Sequence, residues 1–241
     1  MNPQLTASRQ FVSDLVQSGA VLLQRPALPI LTLGLALATE VPSLWRSPHD
    51  WWAGLIFLAA NVVMAGWVGT QRIWYLRAFR GGDIRPIELI SLTGSFIPRF
   101  VILGVLITIP NAAVLPLLAW VVHNPRTLLT AWLVVPLVVS VTTDVLLTFV
   151  TPALAYSTRH VGEAFLAGLR LLRREWPHCA WYALVPPLAL IIVTRLLPRS
   201  ALSPAVSAIV RIAGFMVGLW LKGAIAAYYL RIHVVGDSGS A

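Results

Sequence analysis

The run VILGVLITIPNAAVLPLLAW, from Val101 to Trp120, decides the fold: it holds no charged residue at all. At ~1.5 Å rise per residue, about 20 such residues in a helix match the ~30 Å hydrocarbon core of a bilayer. Working outward, five more stretches of similar character flank it. The sequence therefore predicts six spans, at about 27–45, 51–75, 99–121, 127–152, 179–197 and 204–230. Composition agrees. Of 241 residues, 58% are hydrophobic and 11% charged. Soluble domains carry about 25% charge, so too little polar surface exists to cover a water-soluble globule. Cys179 is the single cysteine, which leaves no disulfide framework. Glycine has no period, and the apolar content is too high for a disordered chain.

The connections alternate. Short turns follow spans one, three and five, at 46–50, 123–126 and 198–200, whereas those after spans two and four are long, basic and helical in pattern. The N-terminal segment, the long connections and the C-terminal tail hold twelve basic residues: Arg9, Arg25, Arg72, Arg77, Arg80, Arg85, Arg99, Arg159, Arg170, Arg173, Arg174 and Arg231. The short turns hold four, Arg46, Arg126, Arg195 and Arg199. The positive-inside rule then sets both termini in the cytoplasm and implies a bacterial cytoplasmic (inner) membrane protein. Tryptophans agree with these boundaries: Trp45, Trp51, Trp52, Trp120 and Trp132 gather at the outer ends, and Trp74, Trp176 and Trp181 at the inner. The net charge of +9 thus reports topology, and no nucleic-acid partner is implied.

Three interfacial helices are expected on the cytoplasmic side. Segment 8–24 has Phe11, Val12, Leu15 and Leu22 on a loose apolar face, with Arg9, Ser13, Asp14 and Gln17 elsewhere. It lacks the uninterrupted apolar core and cleavage site of a signal peptide; a partly disordered tail is the alternative. Segment 84–97 begins after Gly81-Gly82-Asp83 with Pro86 in its first turn, and is polar only at Arg85, Glu88, Ser91 and Ser95. Segment 159–176 is the most amphipathic. Val161, Phe165, Leu169, Leu172 and Trp176 share one face, with Arg159, Glu163, Arg170, Arg173 and Arg174 opposite. Its arginines are candidate contacts for anionic lipid, worth about 1 kcal/mol each; the plainer role is to anchor and orient the spans.

These pieces form a threefold repeat: surface helix, proline, span, outer turn, returning span. The prolines are Pro26, Pro98 and Pro177. Tyr75-Leu76-Arg77 with Gly82-Asp83 corresponds to Tyr229-Leu230-Arg231 with Gly236-Asp237, and more distantly to Tyr156, Arg159, Gly162 and Glu163. The predicted fold class is all-α, a polytopic bundle of six transmembrane and three interfacial helices in one integral membrane domain over 1–241.

The passage Thr151-Pro152-Ala153, Val161-Gly162-Glu163-Ala164-Phe165 and Leu171-Leu172-Arg173-Arg174-Glu175-Trp176 resembles an element of a broad six-span superfamily. That superfamily includes the membrane domain of bacterial glycerophosphoryl diester phosphodiesterases. The lead-in from Phe11 to Arg25-Pro26 is similar as well. The resemblance implies a fold and an accessory membrane role, and it carries over no catalytic residue. The threefold plan also resembles mitochondrial carriers, but their P-x-[DE]-x-x-[KR] signature is missing after the odd spans.

Ionisable groups inside spans are the default functional candidates, costing about 2.5–3.5 kcal/mol each near a helix centre. Asp144 in span four and Lys222 in span six share a depth, so they are a candidate intramembrane ion pair, either fixing helix register or relaying protons or cations. Arg211 lies in the outer half of span six, where it would snorkel outward. Asn61 is a further polar candidate, as are Thr142 and Thr143 for interhelical hydrogen bonds. Gly214 and Gly218 form a G-x-x-x-G, a possible dimer contact. Pro110, Pro116, Pro136, Pro186 and Pro187 interrupt spans and produce either packed kinks or ligand-accepting carbonyls. No metal, nucleotide or nucleophile motif occurs; His160 with Glu163 is the nearest approach to a constellation. Neither catalytic residues nor metal ligands nor a cofactor are expected. The sequence points to a non-enzymatic accessory, scaffold or lipid-interacting subunit that contacts membrane lipid and another membrane subunit or a second copy of itself. The alternative is a transporter component for a small or lipid-like substrate.

Overall fold

The computed structural model describes residues 3–44, 51–122, 124–195 and 204–238. Residues 45–50, 123 and 196–203, on which the short connections of the sequence reading fall in whole or part, lie outside the described residues, as do the side chains of Arg126, Arg195, Arg211 and Asp237.

The described residues are almost all helical, with no strand among them: α1 (Pro3–Gln24), α2 (Ala27–Leu44), α3 (Trp51–Phe79), α4 (Pro86–Val121), α5 (Pro125–Leu147), α6 (Val150–Tyr156), α7 (Val161–Arg174), α8 (Trp176–Arg195) and α9 (Pro204–Ser238). Four stretches are long and apolar enough to cross a membrane: Gly54–Phe79, Pro86–Val121, Thr130–Tyr156 and Ile212–Ile232. They become five if α1 and α2, bent by 85° at Arg25-Pro26, count as one broken span. Spans one and five of the sequence reading correspond to α2 and α8. The outer turns of both, 40–44 and 190–195, carry side chains outside the described residues; among the described residues α2 qualifies only together with α1, and α8 is too short to be tested.

Two boundaries differ from the sequence reading. Segment 84–97 continues through Pro98 into 99–121 as the single 36-residue α4. At ~1.5 Å per residue that helix is ~54 Å long, well beyond a ~30 Å core. Proline is tolerated here because membrane helices re-satisfy freed backbone groups locally. Span four is divided at Thr148-Phe149 into α5 and α6. Between α3 and α4 the chain turns at Gly81, whose φ of +74° suits a residue without a side chain.

Burial is uneven along the helices. Of the apolar window in Ile212–Ile232, 56% is buried, against 6% for that in Pro86–Val121, so α9 is central and α4 peripheral. The core sits at one end of the bundle, where Phe100, Phe149, Leu154, Tyr182, Ala224 and Tyr228 pack together. Beside them Leu28, Trp67, Trp74, Tyr75 and Leu219 form a second cluster. Towards the other end Leu58, Ile102, Leu106, Ile109, Leu117, Trp120 and Val134 are exposed. A soluble monomer rarely leaves so large an apolar surface open; in a bilayer, lipid covers it.

Close crossings depend on glycine. A Cβ on Gly223 would run into Ser18 Oγ and the Tyr75 ring, and one on Gly168 would come within 2.7 Å of Val150 N. By contrast Gly104 has nothing within 4 Å of its Cβ position. Gly223→Ala is therefore expected to lower stability by about 1–3 kcal/mol through overpacking, while Gly104→Ala leaves it unchanged or higher. Thermal unfolding of the two variants in one detergent checks this.

Candidate functional site

At the buried end, the polar groups form a clasp between helices distant in sequence. Arg72 on α3 is only 3% exposed. Its Nη1 donates to the Lys222 carbonyl of α9 at 2.6 Å and its Nη2 to Thr151 Oγ1 of α6 at 2.9 Å. In return the Tyr156 hydroxyl of α6 donates to the Arg72 carbonyl. Tyr75 donates to the Leu219 carbonyl of α9 at 2.9 Å, and the Tyr229 hydroxyl of α9 shares a 2.7 Å hydrogen bond with Ser157 Oγ after α6. Thus α3 bonds to α9, α6 to α3 and α9 to the end of α6, a closed circuit among the returning helices. Hydrogen bonds that satisfy a buried cation are worth about 1.5–3 kcal/mol each.

The N-terminal helix closes the bundle. Its buried stripe is Ala7, Phe11, Asp14, Ser18 and Val21, a heptad-like spacing aimed at α8 and α9. Asp14, set off the apolar face in the sequence reading, is 1% exposed, while Val12, placed on that face, is 57% exposed. The reason is partnering: Tyr182 donates to Asp14 Oδ2 at 2.5 Å, and Arg231 pairs with Oδ1. Ser18 donates to the Trp220 carbonyl at 2.7 Å, and the Trp220 indole returns a 2.7 Å bond to the Leu15 carbonyl. A polar residue with its partners in place is as good a core residue as an apolar one.

On α7 the surface divides three ways. Ala164, Gly168, Leu171 and Leu172 are buried against the bundle. Phe165, 38% exposed, and the half-buried Leu169 stand beside them, while Leu166 falls on the far side among the arginines. Arg170, Arg173 and Arg174 are exposed beyond. At ~100° per residue these sectors face protein, an apolar medium and water in turn. The apolar face of the sequence reading is thus rotated, with Phe165 outside it, and Trp176 begins α8. Arg159 is exposed just before the helix, and Arg174 pairs with Glu175 at 2.9 Å. His160 bonds through its backbone, its N–H donating to Thr158 Oγ1 at 3.1 Å and its carbonyl accepting from Ala164 N–H at 3.0 Å, and Thr158 in turn bonds Glu163.

The other candidates do not converge. Asp144 is exposed on α5 and Lys222 half-buried on α9. Their charges interact, but no contact ion pair between them occurs within 4.0 Å. The backbone carbonyl of Lys222, not its ammonium, joins the clasp. Asn61 donates 2.7 Å back to the Phe57 carbonyl of its own helix. Arg211 lies in α9 with its side chain outside the described residues. Gly214 is buried within the chain and Gly218 half-buried. Among the described residues no group of three His, Cys, Asp or Glu side chains could hold a metal ion. The residues that sequence reasoning passed over are Arg72, counted only as a cytoplasmic charge, and Asp14. The repeated tyrosines, Tyr75, Tyr156 and Tyr229, were the available signal for the clasp. No known family, curated protein or solved structure matches the chain.

Arg72→Lys is expected to destabilise by about 2–3 kcal/mol, since a compact ammonium cannot span acceptors on two helices as the guanidinium fork does. In a double-mutant cycle with Thr151→Val, the losses should fall short of additive. Melting curves of the three variants and the parent supply the test.

Proposed function

We propose that the chain is a non-enzymatic scaffold or accessory protein of the bacterial cytoplasmic membrane that engages anionic lipid through α7. The observation that carries this is the division of α7 into a packed, an apolar exposed and an arginine sector. A helix so divided lies along a bilayer interface, its arginines level with the head groups. Six spans with cytoplasmic termini belong to the same proposal, with α2 and α8 completing the four stretches that qualify by length and hydropathy. The twelve-to-four distribution of basic residues supports that orientation.

The threefold repeat is part of it too. It is supported by the equivalent tyrosines, each bonded to a neighbouring unit. The exit arginines support it further: Arg77 pairs with Glu88 of the following unit, and Arg231 with Asp14 of the first. The likeness of 151–176 to the six-span superfamily named above fits the same picture. A partner subunit would find the exposed outer halves of α3, α4 and α5 available.

Three arginines at about 1 kcal/mol each set the size of the lipid effect. Spin-labelled anionic lipid should be immobilised by the reconstituted protein in preference to zwitterionic lipid, and Arg170→Gln, Arg173→Gln and Arg174→Gln together should bring that preference close to unity. An unchanged preference would remove α7 as the contact. Orientation is checked separately, in a Cys179→Ala background. A membrane-impermeant maleimide should label Arg159→Cys only from the cytoplasmic side and Arg46→Cys only from outside.

A further inference from the structure

α2 and α4 both pack on α3 and stand apart above it, and the groove they leave is a cavity of about 910 Å³. That is the size of a small-molecule site, typically about 300–1,000 Å³. Its floor is Trp67 and Trp74, and its walls include Leu35 of α2 and Ile97 of α4. From Trp74 to Val63 it follows eleven residues of α3, or ~16 Å. At the inner mouth stand Arg25 and Asp83, paired with each other and 30% and 57% exposed.

We propose that this cavity binds one zwitterionic phospholipid with a primary ammonium head group, of the phosphatidylethanolamine kind. Two features of the groove fit that molecule. The mouth offers one cation and one anion side by side: the Arg25 guanidinium matches a phosphate, and the Asp83 carboxylate accepts from an ammonium. A purely anionic head group would set its charge against Asp83, and a choline has no N–H to give it. Below the mouth, Trp67 and Trp74 line the cavity and are each 3% exposed. Deeper still, the wall is apolar and opens at Gly94, where a Cβ would meet nothing within 4 Å, so an acyl chain fits along α3. This site is separate from α7 and selects a different head group.

The experiment is native mass spectrometry of the whole chain in mild detergent, titrated with dioleoyl phosphatidylethanolamine, phosphatidylglycerol or phosphatidylcholine. One phosphatidylethanolamine should be retained at least tenfold more tightly than either of the others. Gly94→Phe should abolish that retention with the melting temperature unchanged, because its side chain occupies the cavity without displacing protein atoms. Asp83→Asn should leave a lipid bound but cancel the preference over phosphatidylcholine. Substituting Arg170, Arg173 and Arg174 by glutamine should leave retention intact, so failure of the α7 reading does not register here. In the unmutated chain, a phosphatidylethanolamine with a diazirine on its acyl chain should cross-link within 27–35 or 63–97. Equal retention of all three lipids, persistence in Gly94→Phe, loss on changing the α7 arginines, or cross-links confined elsewhere would each overturn the proposal.

Discussion

A single guanidinium organises the buried end of this bundle. Among the described residues no carboxylate pairs with the buried Arg72, so its charge depends on hydrogen bonds. Nη1 and Nη2 find them on two other helices, at the Lys222 carbonyl of α9 and the Thr151 hydroxyl of α6, while Nε is left without a partner. Those bonds form only if α3, α6 and α9 meet at one height and one rotation. The remaining contacts follow from that arrangement. Tyr75 reaches Leu219 one turn away from Lys222, Gly223 lets α1 and α3 close on α9, and the break at Thr148-Phe149 swings α6 inward so that Thr151 faces Arg72.

With the buried end tied in this way, the outer halves need little mutual packing. They remain apolar and largely exposed, which only a lipid surround makes reasonable. The two ends of the helices therefore have different stabilising partners, protein at one and lipid at the other. The groove between α2 and α4 belongs to the transition between them. Its mouth carries the charged pair Arg25–Asp83, and its depth is apolar.

How much of this could be read from sequence follows from what a pattern encodes. Helices were legible because a span must be apolar for about 20 residues, and the bend at Arg25-Pro26 because proline punctuates a helix. The amphipathic character of α7 was legible for the same reason. Rotation about the helix axis was not. Asp144 and Lys222 share a depth, but depth says nothing about azimuth, and no contact ion pair results. Asp14 and Ser18 look like water-facing residues until Tyr182, Arg231 and the Trp220 carbonyl are placed beside them, and those partners lie some 160 to 220 positions away along the chain. Arg72 was hidden by its own type, because an arginine near a span end counts first as a topology marker. The glycine motif at Gly214 and Gly218 drew notice by spacing, whereas the close crossings at Gly66, Gly69, Gly168 and Gly223 did not, because only the neighbour's identity makes a missing side chain matter there.

The claim that the buried end is locked by protein contacts and the outer half supported by lipid is tested most directly by electron–electron distance measurements. One spin-label pair belongs at Arg80 and Ser157 near the clasp, the other at Leu58 and Val134 in the outer half. The account predicts a narrow inner distribution that is the same in detergent and bilayer, and an outer distribution that is broad in detergent and narrows in the bilayer. An inner distribution that broadens in detergent, or an outer one equally narrow in both, would contradict it.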